Sequence, residues 1–109
     1  MRLRRDPFRD VTARQLDLFV EDEADLLEDC REKHRLYEQA DREDREEAYG
    51  DFVDAVETAT EALADMRDRF ARTLDEDAAE TYEDSFNRAV RKRWPEFAID
   101  FCTQLDPAP

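Results

Sequence analysis

Residues 51–74 read DFVDAVETATEALADMRDRFARTL. Apolar positions run from Phe52 through Val56, Ala59, Leu63, Met66 and Phe70 to Leu74, at steps of 4, 3, 4, 3, 4 and 4. On a helix these side chains fall along one seam, and a seam with a period close to 3.5 wants another helix along its whole length. A helix near 51–74, packed lengthwise against others, is therefore the organising element.

Upstream, Leu16, Phe19, Val20, Ala24, Leu27, Cys30, His34 and Tyr37 form a second stripe at helical spacing and predict one helix over 12–40. Thr12 followed by Gln15 reads as a capping box, with Val11 and Leu16 placed as its hydrophobic staple. Residues 41–47 are wholly charged, either a helical overhang or the connection to the next helix. Gly50, the only glycine, reads as a C-terminal cap or hinge.

Downstream, Asp75, Glu76 and Asp77 put acids where the positive end of a new helix dipole favours them. Ala79, Tyr82, Phe86 and then Ala89 or Val90 carry a third stripe over 77–93. Pro95 breaks that helix or opens a fourth. Phe97, Ala98, Phe101 and Leu105 predict a short helix over 95–104, and 106–109 read as a frayed tail. One glycine, four prolines and no sustained period-two alternation leave no material for a sheet. The expectation is an all-α fold, an antiparallel helical bundle of three long helices plus a short C-terminal helix. It forms a single domain over 1–109, with an N-terminal arm at 1–11.

The charge is extreme. Asp and Glu number 31, and the formal net charge is -14. Only Lys33 and Lys92 are lysines, against fifteen arginines. Short hydrated carboxylates keep a surface wet in molar salt, where screening removes much of their mutual repulsion. Lysine's long apolar stem makes it the cation such a surface loses first. Over its whole length the composition resembles small acidic proteins of halophilic archaea. The resemblance implies a salt-rich cytoplasm and says nothing of activity. Leu, Ile, Val and Phe number 22, a thin core that would gain from salt or a partner subunit. No apolar run resembles a signal peptide or reaches the ~20 residues of a membrane span, so a cytoplasmic chain without a membrane partner is expected.

Residues with chemistry are few. Cys30 and His34, four apart on the core stripe, could hold zinc with Cys102 and an acid, but no second Cys/His pair supports them. A packed thiol and a hydrogen-bonded imidazole explain them better. Acids three apart, as at Asp25 and Glu28, Glu43 and Glu46, Asp65 and Asp68, Asp77 and Glu80, or Glu80 and Glu83, are the spacing of carboxylate metal sites in helical enzymes. In so acidic a chain chance supplies such pairs. Ser85 is the only serine and has no histidine near it in sequence. No enzyme, metal or cofactor is expected.

Basic residues gather in 1–14 and at Arg88, Arg91, Lys92 and Arg93, just before Trp94. That second group could contact phosphates with Trp94 stacked on a base, the reading of a nucleic-acid accessory factor. Cations in a helix's last turn also complement its dipole, and salt weakens phosphate contacts steeply. Nucleic acid is therefore not the expected partner. Leu18 and Leu36 lie opposite the main stripe of the first helix and suggest a second buried surface. The expected function is a small non-enzymatic interaction domain, homodimeric through Leu18 or Leu36, with an unidentified protein partner as a further possibility.

Overall fold

Residues 6–95 are described by the computed structural model, and among them four α-helices and no strand occur. In chain order they are α1 (Arg9–Asp22), α2 (Ala24–Gln39), α3 (Arg45–Ala71) and α4 (Glu76–Arg93). The seam over 51–74 lies almost wholly in α3, whose 27 residues make a rod roughly 40 Å long at ~1.5 Å each. Antiparallel to its first half lies α2, with Cys30 against Ala55 and both His34 and Tyr37 against the Phe52 ring. Along the second half runs α4, where Tyr82 meets Phe70 and Asn87 accepts a hydrogen bond from Arg67. The fold is an all-α antiparallel bundle, as the stripes require.

At the centre of α4 sits Tyr82, fully buried. Its ring meets Phe8 edge-on at 5.6 Å, and also Phe70 and Phe86. Its hydroxyl donates to Gln15 Oε1 at 2.8 Å, so the one polar atom of a buried ring is satisfied by α1. The N-cap of α4 is Asp75, whose Oδ1 accepts from the Ala78 amide at 2.8 Å, as the run of acids there implies.

Several expectations are corrected. The helix read over 12–40 is two helices, broken at Glu23 (φ -117°, ψ 35°). Backbone bonds continue across the break, from the Glu23 amide to Phe19 O and from the Leu27 amide to Glu23 O, so this is a kink and not a loop. The cause is legible: Glu23 stands between Phe19 and Leu27 on the apolar stripe, and a straight helix would press its carboxylate into the core. Bending there turns α1 onto α4.

The first helix begins at Arg9 rather than 12, so the arm is shorter than 1–11. Thr12 does not cap it, because its hydroxyl donates back to Arg9 O from inside the first turn. Gln15 spends its side chain on Tyr82. No side chain caps α1; its N-cap residue is Phe8, and Asp6 only orders the turn ahead of it, accepting from the Phe8 amide at 3.0 Å. Gly50 is neither cap nor hinge: it lies inside α3 with an ordinary negative φ. The reversal falls earlier, at an extended Ala40 and a turn in which Asp41 Oδ1 accepts from the Asp44 amide. Beyond Pro95, the helix read over 95–104 and the tail at 106–109 lie outside the described residues.

Candidate functional site

Cys30 and His34 share the α2 face turned to α3, as their spacing requires. The Cys30 thiol is buried and donates to Ala55 O at 3.4 Å. Burial first, then the neighbouring Asp29 carboxylate, pushes its pKa up to about 11, which keeps it a thiol and a poor ligand or nucleophile at neutral pH. His34 packs on Phe52 with ring centres 4.9 Å apart, and its Nδ1 lies 3.7 Å from Glu38. Cys102, the third candidate ligand, lies outside the described residues. Among the described residues no group of three or more His, Cys, Asp or Glu is arranged to hold a metal ion. The acids three apart lie mainly on wet faces, and Asp65 and Asp68 pair with Arg69 and Arg67.

Two of the segment's four cations are engaged within the fold, while Arg91 is partly buried and Lys92 exposed in the last turn of α4. Arg88 reaches Asp6 Oδ2 at 3.2 Å, and Arg93 grips Asp17. Trp94 is only 3% exposed, set edge-on against Phe19. A stacking platform needs an open aromatic face, so Trp94 does not serve as one and the nucleic-acid arrangement loses its central residue. Asp6, which sequence reading placed in a basic arm, is the node here. Its Oδ2 also accepts from Ser85 Oγ at 2.6 Å, giving the chain's only serine a structural use. Burial opposes ionisation of Asp6. The Ser85, Phe8 and Arg88 donors outweigh it and hold the carboxyl below its ordinary 3.8. An Asp-Pro pair just ahead of a helix was the available signal.

What remains open is apolar. Leu18 is 52% exposed on α1 and Leu36 44% exposed on α2, with Tyr49 at 43% on α3. The kink separates the two leucines onto different helices, so they do not form one straight outward face. Leu36 borders a shallow hollow of about 150 Å³ walled by Lys33, Asp44, Glu47 and Asp51. Where α1 leans away from α3, a larger open groove of about 510 Å³ remains. Its floor is Phe19, Ala62, Met66 and Phe70, and its rim carries Asp22, Glu23, Asp65 and Arg69. No family model, curated protein or solved structure matches this chain. Charge is unevenly spread around these features: residues 21–66 hold eighteen acids against five cations, a net of -13. No helix among the described residues is long and apolar enough to cross a membrane.

Proposed function

We propose that this chain is a small non-enzymatic interaction domain that works as a homodimer in the salt-rich cytoplasm of a halophilic archaeon. The observation that carries the reading is the exposure of Leu18 and Leu36 on a surface rich in carboxylates. Isolated surface leucines are ordinary, but here they accompany a thin core and an incompletely covered helical seam. The candidate chemistry offers no rival of equal strength, since the Cys30 thiol is held by a backbone carbonyl and Trp94 is buried. Light scattering in molar KCl tests the proposal. A mass near twice 13.0 kDa is expected, falling toward 13.0 kDa on dilution. A monomer at every accessible concentration would sink it.

A further inference from the structure

We infer that the groove between α1 and α3 is one half of a self-complementary interface, and that it receives Leu18 of a second copy. The inference rests on the homodimer reading and names its contact. Its first support is the α3 seam. Phe52, Val56, Ala59 and Leu63 are buried, while Met66 and Phe70 stay partly open as the groove floor. Helices α2 and α4 lie along the two halves of α3, but the kink at Glu23 turns α1 onto α4, so Met66 and Phe70 stay partly open on the side facing α1.

The second support is adjacency. Gln15, Leu18 and Asp22 follow one another along a single row of α1, and Gln15 and Asp22 form the groove's α1 wall. Leu18 therefore stands beside the groove, outside its lip. A two-fold contact requires the inserted side chain and its receptor on the same patch, so that each copy fills the other. Placement beside the lip meets that requirement. Charge agrees at one end of the rim: Arg69 pairs with Asp65, which leaves the acids Asp22 and Glu23, and the exposed Arg14 stands one turn before Leu18 on α1. An entering Leu18 brings this cation to the partner's acids. Leu36 has no such receptor, only a shallow hollow walled mostly by charge.

Sedimentation equilibrium of the full chain in molar KCl provides the test. Leu18→Glu is expected to raise the dimer dissociation constant roughly tenfold or more, since a buried anchor residue dominates such contacts. Leu36→Glu is expected to leave it unchanged. Leu18 is more than half exposed in the free chain, so circular dichroism should show native helix in the variant. A second measurement does not depend on that variant folding. Leu18→Cys and Met66→Cys chains, each with Cys102→Ala, are mixed and oxidised, and a disulfide joining one of each is expected. If the dimer survives Leu18→Glu, or if the mixed Leu18→Cys and Met66→Cys chains dimerise without this cross-link, the inference is overturned and the homodimer is left standing. A wild type that is monomeric throughout overturns both. Met66→Cys that reacts with a soluble thiol reagent only after removal of residues 96–109 would assign the groove to the chain's own C-terminal residues, and would also overturn it.

Discussion

Phe19 and Trp94 meet edge-to-face with ring centres 6.1 Å apart and planes at 71°, locking the end of α1 onto the end of α4. Arg93 reinforces the lock, lying 6.0 Å over the Trp94 ring while its guanidinium grips Asp17 on α1. Trp94 is only 3% exposed, so the contact is a buried one. Trp94→Ala is therefore expected to cost about 3–5 kcal/mol in chemical denaturation, and Trp94→Phe markedly less because an edge-on ring remains. Trp94 is the only tryptophan, so its emission should be blue-shifted when native and should stay unquenched by added oligonucleotide.

Gly50 offers a cleaner gain. It sits inside α3 with negative φ, and a Cβ built there would meet nothing within 4 Å. Gly50→Ala should then stabilise the fold by about 0.5–1 kcal/mol, through helix propensity alone. Thermal melts in the same buffer would measure it. A loss of stability would mean that this turn of α3 bends in solution.

How far the fold was legible follows from what each residue has to satisfy. Seam periodicity is a local property, and Phe52 through Leu63 are buried as it demands. The kink was also written in the chain, since Glu23 occupies a stripe position. Counting only the apolar members of a stripe hides the one that is charged. Gly50 misled because glycine's preference for turns is a weak prior, while the seam continuing to either side overrides it. Asp6 and Trp94 were harder. Their partners Ser85, Arg88 and Phe19 lie more than seventy positions away, and nothing local records which helix end α1 will meet. The groove is a product of that docking, so it was invisible beforehand.

Asp6 should impose an acid limit. Its folded pKa lies below the ordinary 3.8, so its contribution is present above that value and is lost as pH falls through the folded pKa. Asp6→Asn should cost about 1–2 kcal/mol at neutral pH, by weakening the bonds from Ser85, Phe8 and Arg88. The gap between the two proteins should narrow once the pH is below 3.8. A constant gap down to that range would mean that Asp6 acts by shape and not by charge.

Two groups set the alkaline limit. Burial raises Tyr82 from 10.0 to about 12, and burial then Asp29 raise Cys30 from 9.0 to about 11. Both are neutral acids that the fold protects from ionising. Their contribution is full below the unfolded values and is lost as pH rises through the folded ones. Stability should therefore begin to fall above about pH 9 and keep falling toward pH 12. Tyr82→Phe should remove the upper part of that decline, at a cost of about 1 kcal/mol at neutral pH for the bond to Gln15. Denaturation curves across the alkaline range would separate the two residues.

Salt should matter most. Folding brings the eighteen acids of residues 21–66 together over the end of α1, α2, the turn after it and α3, with only five cations among them. The exposed pairs Asp29–Lys33, Glu32–Arg35 and Asp65–Arg69 offset little of this, since such pairs are worth about 0–1 kcal/mol each and are themselves screened. At a Debye length of about 3 Å in molar salt the repulsion between neighbouring carboxylates largely disappears. Salts excluded from the surface also strengthen apolar burial. The melting temperature should therefore climb as KCl is raised from about 0.1 M to ~2 M. Lowering the pH from neutral toward the pI of 4.4 should partly substitute for salt, because protonation removes the same repulsion, until the loss of Asp6 sets in at lower pH. Changing the exposed Glu21, Glu43, Glu57, Glu61 and Glu80 to Gln should flatten the salt dependence by raising stability at its low-salt end. A wild-type chain that melts at one temperature across that range would contradict the halophilic reading, and would leave a basic partner as the better cause of the acidic surface.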